Sequence, residues 1–136
     1  MDCLFCKIAG GEIPSTTIYE DDDVRVILDI SPAAHGHALI LPKKHAASLL
    51  EADDAMIAKV YTIARDLGNR MISELGAEGV NVLANCKEAA GQTIDHFHVH
   101  VIPRYPENAD KDGLIISQNE IVKPDFEAIA NALRFS

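Results

Sequence analysis

The sequence predicts an α+β domain: a five-stranded, mainly antiparallel sheet with one long helix and a short C-terminal helix. Three observations carry this. Strand-like runs fall in two groups, before and after a single long helical pattern. The links inside each group are of hairpin length, which suits antiparallel neighbours. The 136 residues contain no internal repeat, low-complexity stretch or linker, so residues 1–136 read as one domain with room for a proper core.

The elements follow in order. "TIYEDDDVRVILDI" reads as two short strands around an acidic turn, Asp21 to Asp23, which is a solvated hairpin tip. "HALILP", from His37, is a third strand, apolar through its middle. In "EADDAMIAKVYTIARDLGNRMISELG", Ile57, Val60, Ala64, Leu67, Met71 and Leu75 recur at helical spacing, with Asp53 or Asp54 as N-cap and Gly76 as stop. "VNVLANC" is a fourth strand and "HFHVHVIPR", His96 to Arg104, a fifth. "PDFEAIANALRF" is a closing helix with Phe126, Ile129 and Leu133 on one face. A five-stranded sheet has edges to cover, and a homodimer that extends the sheet would cover one.

Composition narrows the function. The formal net charge is −9 and the pI about 5.0, which argues against general binding to a nucleic-acid backbone. No apolar run approaches the ~18 residues of a membrane span, and the N-terminus lacks the pattern of a secretory signal. With three cysteines, an odd number, the expectation is a reducing cytoplasm. Cys86, at the end of a strand-like run, reads as a free thiol without a role.

Two constellations can do chemistry. In "HFHVHVIPR" a period of 2 puts His96, His98 and His100 on one face and Phe97, Val99 and Val101 on the other. Along a regular strand His96 and His100 stand roughly 13 Å apart. A single zinc, with bonds to nitrogen of about 2 Å, cannot easily take all three, so their tasks are divided. "CLFC", Cys3 to Cys6, is either a redox pair, two unrelated buried thiols, or half of a zinc site whose other ligands come from His35, His37, His45, His96, His98 or His100. A neutral imidazole is a nucleophile and a neighbouring one a proton or hydrogen-bond donor, so His98 and His100 suit phosphoryl chemistry. Gly91 permits close backbone approach to a ligand, and Gln92 or Thr93 can donate to phosphate oxygens. The competing reading is three histidines on a polar sheet face or around a metal.

"HFHVHVIPR" resembles the signature of the histidine triad family, His-φ-His-φ-His-φ-φ with φ apolar, at every position. "CLFCKIAGGEIPSTTIYEDDDVRVILDISPAAHGHALILPKKH" and "GQTIDHFHVHVIPR" extend the similarity to bacterial members over about Cys3 to Arg104. The resemblance implies a homodimeric α+β fold and a nucleotide hydrolase of the phosphoramidase-like branch. His98 would attack the α-phosphate of a purine nucleotide and form a nucleotidyl-histidine. His100 would contact the phosphate and His37 support the nucleophile. Asp29 would hold the ribose, and Phe5, Ile8, Ile13, Ile27 and Ile30 the base. Asn85, Gly91, Gln92 and Thr93 would meet the phosphate and leaving group. A structural zinc would sit on Cys3, Cys6, His45 and His96, and no catalytic metal is required. Substrates implied are adenosine phosphoramidates, acyl-adenylates or dinucleoside polyphosphates; the alternative is a nucleotide-binding scaffold. His100 stands where transferase relatives carry glutamine, which favours hydrolysis. The chain has no Trp, a departure from the phosphoramidase branch, and Asp95 stands where an apolar residue is frequent.

Overall fold

The computed structural model describes residues 3–106 and 125–135. Its elements are α1 (Leu4–Ala9), β1 (Thr17–Glu20), β2 (Val24–Leu28), β3 (Ala38–Pro42), α2 (Asp54–Leu75), β4 (Gly79–Leu83), β5 (Val99–Arg104) and α3 (Phe126–Leu133). The sheet runs β1-β2-β3-β5-β4 and every neighbouring pair is antiparallel. The predicted α+β class and five strands are therefore what the chain forms.

Why β3 is apolar at every position follows from its neighbours. Ala38 and Ile40 face α2, where Val60, Ala64 and Met71 complete one core with Val24, Val26, Val99 and Val101. Leu39 and Leu41 face the other way, into a second cluster with Ile27, Cys3, Phe5 and Ala9. A central strand covered on both faces loses the alternation of a half-exposed one.

The long helix begins at Asp53, whose carboxylate accepts the Met56 N–H at 2.8 Å, and stops at Gly76 in the left-handed conformation, φ 73°. Leu75, placed by spacing on the buried face, is instead 52% exposed at the last turn.

Three features differ from expectation. The first is α1, which has no sequence signal: it is six residues long and capped by a thiol, Cys3 Sγ accepting from Cys6 N at 3.2 Å. The second is the start of β5, three residues later than the histidine alternation predicts. His96 N bonds Ile94 O at 2.8 Å and Phe97 N bonds Ala46 O at 2.7 Å, so the chain leaves the ladder before His98. The third follows from this. With its partner gone, β4 ends at Leu83, opposite His100, rather than at Cys86.

Gly36, beside His37, has φ +101°, and a Cβ there would lie 2.8 Å from Leu75 Cδ1 and 3.3 Å from Pro103 Cγ. Leu75 can swing away; the backbone strain cannot be relieved. Gly36→Ala is expected to cost about 2 kcal/mol, read as a lower urea midpoint at unchanged slope.

Candidate active site and metal centre

The departure of His96 to His98 from the ladder decides what each imidazole can do. His96 is fully buried, and its Nε2 lies 2.8 Å from the Pro42 carbonyl, an acceptor only. Nε2 therefore carries the proton and Nδ1 a lone pair. That lone pair meets Cys3 Sγ at 3.3 Å, Cys6 Sγ at 3.4 Å and His45 Nδ1 at 3.2 Å, and Cys6 Sγ lies 3.3 Å from His45 Nδ1. A tetrahedral zinc with N and S ligands has ligand-to-ligand edges of about 3.3–3.8 Å, so this four-residue cluster has the size and donors of such a site. Burial first, and the Cys3 thiol second, push the Cys6 thiol up to about 11. A bound cation is the partner that would make it a thiolate.

His98 is 8% exposed, and its Nδ1 donates to the His96 carbonyl at 2.7 Å. Its Nε2 is left as a lone pair. Phe5 of α1 packs its ring edge-on to His98 at 4.8 Å between centroids, and also reaches His96 at 6.1 Å. Burial holds the His98 imidazolium below its usual range, opposed by the bond to the His96 carbonyl and by the Asp29 charge.

His37 and His100 form a directed chain. The Ala33 N–H donates to His37 Nδ1 at 3.0 Å, so His37 bears its proton on Nε2. That N–H donates to His100 Nδ1 at 3.0 Å, which puts the His100 proton on Nε2. His98 thus offers a lone pair at Nε2 and His100, its neighbour at 5.0 Å between ring centroids, an N–H at the same atom. The sequence expectation tied His37 to the nucleophile. In the structure it bonds His100, and the group that orients His98 is the His96 carbonyl.

Asp29, His37 and His100 also converge closely enough to hold a metal. Their protons separate the two clusters: His37 Nε2 points a proton inward, whereas His96 Nδ1 points a lone pair. His37 Nε2 is also 3.5 Å from Asp29 Oδ2, whose other oxygen accepts the Ser31 N–H at 2.8 Å.

The remaining expected contacts are distributed unevenly. Phe5 and Ile27 are buried and Ile8 and Ile13 half-buried on the α1 side, whereas Ile30 is 98% exposed. Asn85 is half-buried; Gly91, at φ +95°, lies near it; Thr93 is exposed. Gln92 differs from expectation, because its side chain is spent inside the fold. Nε2 donates to Ala47 O at 2.7 Å and Ile94 O at 2.9 Å, and Oε1 accepts from Lys87 N at 2.7 Å. This clamp holds Lys87 at φ 76°, a costly conformation for a side-chain-bearing residue. The groups that sequence reading missed are backbone ones: Ala33 N–H and the carbonyls of Pro42 and His96. Backbone atoms carry no residue-type signal.

Burial, then the neighbouring His98 and His37, push His100 down to about 4. An unfolded chain binds that proton near pH 6.5. Between these values the unfolded state takes up a proton that the native state does not, so stability present above pH 6.5 is lost as pH falls toward about 4. Melting curves across this window are expected to decline by several degrees, with a shallower slope for His100→Asn.

Comparison with known proteins bears on the family and the fold. Residues 10–107 match the HIT domain family. The adenosine 5′-monophosphoramidase hnt1 of Schizosaccharomyces pombe is 38% identical over 104 residues, 76% of this chain and 75% of that protein. The adenylylsulfatase HINT3 of Arabidopsis thaliana is 43% identical over 103 residues, 76% of this chain and 52% of that protein. Among solved structures, a HIT family member from Bacillus subtilis superposes with a TM-score of 0.81 at 34% identity, each chain covering 100% of the other. A zinc-bound histidine triad protein from Mycobacterium smegmatis gives 0.77 at 35% identity, covering 88% of this chain and 85% of that one. A histidine triad with fixed tautomers, on a sheet of this order and with this match, means that the chain belongs to the histidine triad (HIT) family.

Proposed function

We propose that this protein is a nucleotide hydrolase that acts on the α-phosphate of a purine nucleotide derivative through a covalent nucleotidyl-histidine. The observation that carries the reading is the pair of opposite tautomers at His98 and His100. His98 Nε2 attacks, forming the N–P bond as the bond from phosphorus to the leaving group breaks. The positive charge that develops on the ring is stabilised at Nδ1–H by the His96 carbonyl. His100 Nε2–H donates to a phosphate oxygen or to the departing group. Water then attacks phosphorus, the N–P bond breaks, and His98 is regenerated with release of the nucleoside monophosphate.

Asp29 Oδ2 serves as acceptor for the ribose hydroxyls, and the apolar wall of Phe5, Ile8 and Ile27 receives the base. Cys3, Cys6, His45 and His96 hold a structural zinc that pins α1 to the histidine segment; with four protein ligands it takes no part in the reaction. The exposed edge of β4, where Val82 is 43% exposed, joins a second copy to make a homodimer. Three cysteines, none of them in a disulfide, suit the cytoplasm. No described helix is long and apolar enough to cross a membrane.

The relatives support an adenylyl substrate, since one is named for a phosphoramidate and the other for adenylyl sulfate. The purified protein is therefore mixed with adenosine 5′-phosphoramidate, adenylyl sulfate and a diadenosine polyphosphate, and AMP release is followed. Turnover of any one supports the reading, and the fastest identifies the leaving group. Tight AMP binding without turnover of all three would favour a nucleotide-binding scaffold.

A further inference from the structure

Among the described residues, one broad groove is lined away from the triad. It has a volume of about 1130 Å³ and lies between α2 and the β1–β2 side of the sheet, walled by Ile18, Leu28, Leu67, Leu75 and Tyr105 and by the loop from Pro32 to Gly36. Its lining is mainly apolar, and Ile18 and Leu75 are 45% and 52% exposed.

A second apolar surface needs cover. In α3 the large side chains Phe126, Ile129 and Leu133 share one face and are 77%, 47% and 69% exposed, and Phe135 beyond it is 95% exposed. An eight-residue helix is too short to persist in water by itself; helices of this length are held by packing of the apolar face.

We propose that α3 docks, in cis, with its Phe126–Ile129–Leu133 face in the groove between α2 and the β1–β2 side of the sheet. Length agrees: eight residues of helix span about 12 Å, as does the stretch of α2 from Leu67 to Leu75 that walls the groove.

Connectivity selects this chain's own helix over that of a second copy. Tyr105 lines the groove one residue before the described segment 3–106 ends, and its Oη donates to His35 O at 2.5 Å. The 18 residues from 107 to 124 can reach at most about 60 Å, far more than the docking requires. Docking of α3 on its own chain is intramolecular and does not weaken on dilution, whereas docking of a second copy at micromolar protein does. The occupied groove would also back the loop whose Ala33 N–H sets the His37 tautomer.

The test uses the absence of tryptophan from the full chain. Phe126→Trp introduces a single indole on the docking face. The expected result is emission blue-shifted from that of the denatured chain and acrylamide quenching several-fold weaker, both independent of protein concentration. Ile18→Glu and Leu75→Glu, each added separately at an exposed wall position, should reverse both signals while thermal unfolding stays cooperative. Leu133→Trp provides a second probe should the first perturb docking. Emission and quenching like those of the denatured chain with both probes would overturn the proposal. So would protection that survives both wall variants, which would place α3 elsewhere. Protection that appears only as protein concentration rises would overturn docking in cis and assign the groove to α3 of a second copy.

Discussion

His98→Asn is expected to slow AMP release from adenosine 5′-phosphoramidate by at least about 10⁴-fold while leaving AMP binding within a few-fold of wild type. The size follows from the role. Asparagine supplies no lone pair at the position of Nε2, so the covalent route closes, whereas loss of one hydrogen-bond donor typically costs 10²–10³ in turnover. His100→Asn should therefore fall in that smaller range. The two variants separate the assignments: His98 breaks and forms bonds, and His100 donates. Equal losses in both, or a larger loss at His100, would reverse the roles given to the two rings. Single-turnover rates at saturating substrate are the measurement, since they isolate chemistry from product release.

The second large effect is on the metal. The account expects the protein to purify with one zinc per chain, and Cys6→Ala or a strong chelator to remove it and lower Tm by more than about 10 °C. The physical reason is the weakness of α1 on its own. Six residues and a thiol cap do not hold a helix. What holds it is Cys3 and Cys6 against His45 and His96, together with Phe5 against the rings of His96 and His98. Loss of zinc frees both ends of that contact and leaves the His96 Nδ1 lone pair buried without a ligand. Metal content by elemental analysis and Tm by calorimetry are read on the same samples. Metal-free protein that melts with wild type would remove zinc from the scaffold. A Cys3–Cys6 disulfide in the purified protein would return these residues to the redox reading.

How much of this was legible in the sequence depends on which atoms carry it. The five strands and α2 follow from side-chain periodicity, and Asp53 and Gly76 end α2 as their residue types predict. The helix α1 was not legible, because a cysteine is not an expected N-cap and six residues show too little period. The register of the triad was misread for a related reason. Alternation from His96 to Arg104 describes one unbroken strand, but Phe97 N–H turns to Ala46 O and the ladder begins only at Val99. That break lets Nδ1 of His98 reach the carbonyl two residues back. The side chains of the site are readable through the family resemblance, yet their protons are not. They are set by Ala33, Pro42 and His96 backbone groups, which any residue type could supply. Gln92 shows the same limit from the other side: its type suggests a phosphate contact, and its three hydrogen bonds are spent inside the fold, on Lys87, Ala47 and Ile94.

The central claim is that hydrolysis passes through a nucleotidyl group on His98. The stereochemical course at phosphorus tests it without requiring the intermediate to accumulate. A substrate made chiral at the α-phosphorus by sulfur substitution is hydrolysed in heavy-oxygen water, and the configuration of the thiophosphate product is determined. Two in-line displacements, first by His98 and then by water, predict net retention. Net inversion would mean that water attacks phosphorus directly, and it would contradict the covalent role assigned to His98.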